Sequence, residues 1–187
     1  MSTQQPPQQQ RRQPGSESAM QPEPEVIRDS YRGSGKLDGK VALISGGDSG
    51  IGRSVAVHYA REGAHCAIVH LEEDQDAETT RQMVEKEGGE CLVLKGDVGD
   101  ADFCRQAVAS TIERFGRLNI LVNNAAEQYD WSDITEVDDA QLERTFRTNV
   151  YSHFYLSKAA VPHLDAGDTH EIVGLQTGHV DELGAIA

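Results

Sequence analysis

No apolar run in this chain approaches the ~18 to 20 residues of a membrane-spanning helix, and the N-terminus has no hydrophobic signal region. No membrane association is expected, and the expected localisation is cytoplasmic. Basic charge is also in deficit: 17 Lys and Arg stand against 31 Asp and Glu, a formal net charge of −14. Nucleic acid is therefore not an expected partner, because its phosphates would be repelled. Cysteine is scarce and unpaired. Cys66, Cys91 and Cys104 form no Cys-x-x-Cys motif, and the expectation is buried, reduced thiols that pack as small hydrophobes. The seven histidines are scattered, and His65 and His70 are spaced for no helical metal pair, so no metal centre is expected. Proline is almost confined to one segment: five of the six lie in residues 1–36, beside the run Gln4-Gln5-Pro6-Pro7-Gln8-Gln9-Gln10. With little to bury, residues 1–36 are expected to form a disordered tail. The alternative is an arm packed on a neighbouring subunit through Val26, Ile27 and Tyr31.

What is present begins at Leu37. Short β-branched runs alternate with amphipathic stretches, as in consecutive βαβ units. Strands are predicted at 41–45, 66–70, 91–95 and 120–123. Helices are predicted at 50–62, 76–87 and 100–115, with Asp76 and Asp100 as N-caps and Gly63, Gly88 and Gly116 as C-terminal stops. A longer helix is predicted over 138–164, opening at Asp138 and Asp139, with Pro162 ending or kinking its last turn. Right-handed crossovers make the sheet parallel and cover both faces. Between the first strand and helix lies Ser45-Gly46-Gly47-Asp48-Ser49-Gly50-Ile51-Gly52. Glycine suits that turn because it accepts backbone angles a side chain forbids and lets phosphate oxygens reach main-chain N–H groups. A dinucleotide pyrophosphate would sit there.

The spacing Gly46-x-x-x-Gly50-x-Gly52, followed by Gly96-Asp97-Val98, Asn123-Asn124-Ala125-Ala126 and Arg147-Thr148-Asn149-Val150, resembles the short-chain dehydrogenase/reductase family. The fragment Tyr31-Arg32-Gly33-Ser34-Gly35-Lys36-Leu37 and the run Asn124-Ala125-Ala126-Glu127-Gln128 resemble its bacterial glucose and ribitol dehydrogenase-like subgroup. The likeness covers about residues 20 to 167. It implies a Rossmann-like, doubly wound parallel sheet, here incomplete at about four to five strands of the usual seven. It implies NAD(P)-dependent hydride transfer to or from a small-molecule alcohol or carbonyl substrate. The implied cofactor residues are Gly46, Ser49, Gly50, Ile51, Gly52, Glu72, Asp97, Val98, Asn123 and Ala125, and the implied catalytic residue is Asn149. Ala126 stands where the family usually has Gly, and Ser45 replaces a Thr while keeping the hydroxyl.

One departure bears on activity. The family's general acid/base is a Tyr whose pKa is lowered by a Lys four residues later, because free Tyr titrates near ~10. No Tyr-x-x-x-Lys occurs in this sequence. Tyr155 and Lys158 have the wrong spacing and read as a packing or interface residue and a solvated one. Thr177 falls near the place of the family's substrate-orienting Ser, but the residues around it are unlike the family. The expectation is a chain shortened or frame-shifted at its C-terminus, divided into a tail (1–36), a dinucleotide-binding unit (37–167) and an atypical stretch (168–187). Catalysis by it is expected to be lost, leaving a dinucleotide-binding or interaction module, or an unstable fragment. Glu72 and Glu73, after the second strand, lean towards NAD over NADP, since a carboxylate there accepts ribose hydroxyls and repels a 2′-phosphate. Asp48 adds to that, while Arg53 and Arg32 oppose it. The fourth strand is expected to lose most of its neighbours, and a homo-oligomer through helix 138–164 is the implied assembly.

Overall fold

The structure, a computed structural model, describes residues 24–129, 133–165 and 168–172. Thr177, the stretch 179–187 and the glutamine-rich run lie outside the described residues. Ten principal elements follow in the order β1 (Val41–Ser45), α1 (Gly50–Arg61), β2 (His65–His70), α2 (Asp74–Lys86), β3 (Cys91–Lys95), α3 (Ala101–Phe115), β4 (Ile120–Asn123), α4 (Asp139–Phe146), α5 (Ser152–Ala160) and β5 (Thr169–Ile172). The strands form one parallel sheet in the order β3-β2-β1-β4-β5.

Alternation along the strands sorts the core into two layers. Ala42 and Ile44 of β1 and Ile68 of β2 face α1 and α2, meeting Ala56, Val57, Ala77 and Val84. Leu43, Val69 and Leu121 face the opposite way, onto Cys104, Ala107 and Val108 of α3 and Leu156 and Ala160 of α5. Each fully buried Leu, Ile or Val contributes about 1.5–3 kcal/mol, which is what holds helices on both faces. At the end of the sheet away from the glycine turn, Asn119 donates to the Asp168 carboxylate and accepts from the Val41 N–H at 3.0 Å. The chain entering β5 is thereby tied to β1.

Several expectations change. β4 pairs with β1 on one side and β5 on the other, so it is an interior strand. The sheet also continues past residue 167, where β5 runs over Thr169–Ile172. Helix α2 begins at Asp74, two residues before the expected Asp76 cap, and its N-cap Glu73 makes no side-chain capping bond. Asp100 does cap α3, accepting from the N–H groups of Asp102 and Phe103, and Gly116 closes that helix at φ +77°. The long helix over 138–164 is interrupted: α4 passes into a π-helical segment, Arg147–Tyr151, before α5, and Pro162 lies in a closing 3₁₀ turn. The arm from residue 24 packs on its own chain. Ser54 donates to the Val26 carbonyl, Arg61 to the carbonyls of Arg28 and Tyr31, and the Glu62 carboxylate accepts from Tyr31, Ser34 and Lys36. Of the cysteines, Cys66 and Cys104 are buried but Cys91, on edge strand β3, is only partly covered. All three are free, and burial pushes the Cys91 and Cys104 thiols up to about 12, away from reactivity.

Candidate functional site

The carboxyl ends of β1, β2, β3 and β4 open onto one cavity of about 750 Å³. Ligands of open parallel sheets bind at such ends because the loops there, not the strands, carry adaptable groups. The glycine turn forms one wall. Gly46 holds φ +63°, and a Cβ on it would come 3.0 Å from the Ala125 Cα. Gly52 is needed for space: a Cβ there would stand 1.9 Å from the Gly46 carbonyl oxygen. Gly50 differs, since its φ is +52° but a Cβ would meet nothing within 4 Å. The start of α1 therefore faces open cavity. Its first turn has no acidic residue, and its N-cap Ser49 makes no side-chain capping bond. Such a helix start favours an anion.

Two side chains lock the turn. The Ser45 hydroxyl accepts from the N–H groups of Asn124 and Ala125, each at 3.0 Å. The Asn124 amide donates to the carbonyls of Ser45 and Gly46, again at 3.0 Å. Behind the turn, Arg53 is 5% exposed and donates to the Asp48 carbonyl, the Thr80 hydroxyl and the Asp76 carbonyl. Arg53 is absent from the cavity lining, so it is not a cation offered to a ligand.

Of the residues expected to bind a cofactor, Gly46, Ser49, Gly50, Ile51, Glu72, Asp97, Val98 and Ala125 line the cavity. Gly52 does not, because it packs beneath the turn. Asn123 does not line it either; it is fully buried at the end of β4, with its amide 3.5 Å from the Ser157 hydroxyl. Asn149 sits in the π-helical segment and is also outside the lining. Its side chain accepts from the Glu127 N–H at 2.7 Å and donates to the Glu127 carbonyl at 2.8 Å. Tyr155 packs against the core and Lys158 is exposed.

The sequence reading left out Asn124, His70, Glu127 and Arg144 as site residues. His70 ends β2, is 4% exposed, lines the cavity and has no hydrogen-bond partner at Nδ1. Burial pushes its pKa down and pushes that of neighbouring Asp48 up, so both move towards the neutral form. Arg144 donates to Asp97 at 2.5 Å and to Glu127 at 2.8 Å. Burial pushes the Glu127 carboxyl up, but hydrogen bonds from Tyr129, Arg144 and Thr148 outweigh it and hold the group below its ordinary value. A signal for Arg144 existed: it stands four residues before Thr148, one helical turn along the face that reaches the cavity.

The short chain dehydrogenase family profile matches residues 40–179. The chain belongs to that family. It is 55% identical over 161 residues to the uncharacterized oxidoreductase YhdF of Bacillus subtilis, covering 86% of this chain and 56% of that protein. It is 42% identical over 170 residues to the glucose and ribitol dehydrogenase of Daucus carota, covering 88% and 58%. Among solved structures, a short chain dehydrogenase from Burkholderia cenocepacia in complex with NADP superposes with a TM-score of 0.70 at 32% identity, over 73% of this chain and 55% of that one. Within the family, the chain groups with the glucose and ribitol dehydrogenase-like members, and it spans a little over half the length of the curated relatives it matches.

Proposed function

We propose that this chain is the dinucleotide-binding portion of an NAD(P)-dependent oxidoreductase acting on a small alcohol or carbonyl compound. The observation that carries this reading is the glycine turn: Gly50 leaves open space at the start of α1 while Gly46 and Gly52 close-pack against the loop after β4 and each other. The unpartnered His70 Nδ1 in the lining is a second feature that fits a polar ligand. The main chain at Ser49, Gly50 and Ile51 would hold a pyrophosphate, Glu72 a ribose, and Asp97 and Val98 an adenine. A nicotinamide, when bound, supplies or takes up a hydride. Asn149 acts indirectly, fixing both main-chain polar groups of Glu127 in the loop after β4.

NAD is the favoured cofactor and NADP the competitor. Glu72 and Asp48 bring carboxylates to the cavity, and Arg53, which would have opposed them, is buried behind the turn. No Tyr-x-x-x-Lys occurs in these 187 residues, so the reading rests on dinucleotide binding rather than on turnover. Sugars, polyols and aldehydes all suit the reaction type of the full-length enzymes. The outer face of the broken helix carries exposed Phe146, Tyr151 and Phe154, the last 70% exposed, and is the surface for self-association. Among the described residues no helix is long and apolar enough to cross a membrane, and a cytoplasmic location is part of the same reading. Domain limits at 37 and 167 belong to it too, with β5 and the packed arm as extensions.

Calorimetric titration with NAD and with NADP, beside thermal melts with and without each, is the test. Saturable binding, a raised melting temperature and tighter NAD than NADP are expected. Absence of binding to a cooperatively folded chain would overturn the reading.

A further inference from the structure

Asp97, Arg144 and Glu127 come from three separate parts of the chain, the loop after β3, helix α4 and the loop after β4, and all three line the cavity. One guanidinium joins the two carboxylates: Arg144 Nη1 donates to Asp97 Oδ2 at 2.5 Å and Nε to Glu127 Oε2 at 2.8 Å. The other Asp97 oxygen accepts from the Gly99 N–H at 2.7 Å, so the carboxylate is held in one orientation. Glu127 is held as firmly. Its carboxylate also accepts from the hydroxyls of Tyr129 and Thr148, and its main chain engages Asn149 in both directions. The result is an unbroken series of hydrogen bonds from the loop after β3 to the π-helical segment.

We propose that Arg144 is a positioning residue for the dinucleotide, fixing Asp97 against the ligand and coupling it to the Glu127 loop and the Asn149 segment. The proposal rests on the dinucleotide reading of the cavity. Two charges explain why an arginine is needed. Without Arg144, Asp97 and Glu127 would present an uncompensated pair of carboxylates to a site that must also accept a pyrophosphate, and each would lose a fixed partner. A lysine restores the charge but not the two-headed bridge, because its ammonium is a point donor rather than a planar fork.

The test is calorimetric NAD titration of the full chain and its variants, each first checked for a cooperative melt. Arg144→Gln is expected to weaken NAD binding about tenfold and Arg144→Lys about threefold. Glu127→Gln is expected to weaken binding about threefold while Arg144 is present and to recover part of the loss in the Arg144→Gln background, where it removes one of the two uncompensated carboxylates. A purely structural role would lower melting temperatures and leave the dissociation constants alone. That result, or a Glu127→Gln effect equal in both backgrounds, overturns the proposal. If Arg144→Gln does not fold, Arg144→Lys carries the test: affinity equal to that of the unsubstituted chain overturns it. Failure of the unsubstituted chain to bind NAD or NADP would instead overturn the dinucleotide reading, and this inference with it.

Discussion

Gly52 sets two opposing effects against each other. Alanine is the better helix former by about 1 kcal/mol, and Gly52 lies within α1. Its Cβ, however, would stand 1.9 Å from the Gly46 carbonyl oxygen, a backbone atom that cannot swing aside. The steric cost wins. Gly52→Ala is expected to destabilise the fold by about 1–3 kcal/mol net and to abolish NAD binding, read by urea unfolding and calorimetry. Glu62 supplies a prediction with a sign in pH. The Tyr31 hydroxyl first, then the N–H groups of Ser34 and Lys36, hold its pKa at about 2, down from 4.5. A depressed carboxylate stabilises the fold above its unfolded pKa, and that stabilisation is lost as pH falls through the folded one. The melting temperature should therefore exceed that of Glu62→Gln at neutral pH, and the gap should close between about 4.5 and about 2. A gap unchanged across that window would mean that the carboxylate charge does not hold the arm.

Elements meet at the site through Arg53. Its guanidinium joins the glycine turn to α2 by way of the Asp48 carbonyl, Thr80 and Asp76, all under cover. Arg53→Met would leave the Asp76 carboxylate, 3.5 Å from the guanidinium, without its cation. Loss of one partner of a buried pair costs about 3–5 kcal/mol, and unfolding in urea should show a fall of that order. The same arginine marks a limit of sequence reading. Strands β1, β3 and β4 fall at their expected positions, because alternating β-branched runs bounded by glycine and acidic turns specify a strand locally. Arg53 reads in the sequence as a cation that opposes the carboxylates near the ribose, since whether a charged helix residue is covered depends on an element more than 20 residues away. The long helix expected over 138–164 is interrupted for a related reason. Its composition suits a helix throughout, but the two hydrogen bonds between Asn149 and Glu127 lie within a π-helical segment whose partner loop no local pattern reveals.

Across the whole molecule, acidic charge is the dominant long-range term. The formal net charge of −14 is self-repelling. Raising salt from ~0.01 M to ~0.15 M shortens the Debye length from about 30 Å to about 8 Å. The melting temperature is expected to rise across that range; a fall would mean that the ion pairs at Arg61, Arg81 and Arg144 outweigh the general repulsion. By itself the sequence determined the βαβ order, the glycine turn and the family, because each rests on short-range rules: strand alternation, helix caps and positions where only glycine fits. It also determined that Tyr-x-x-x-Lys is missing, which is a matter of spacing alone. Tertiary structure decided that β4 is an interior strand, that Arg53 lies behind the turn and that Asn123 stands outside the cavity. It also decided that Arg144 binds two carboxylates 47 and 17 positions away in the chain. Ion pairing and burial depend on distance in space, and only the packed sheet and helices bring such residues within 3 Å of one another.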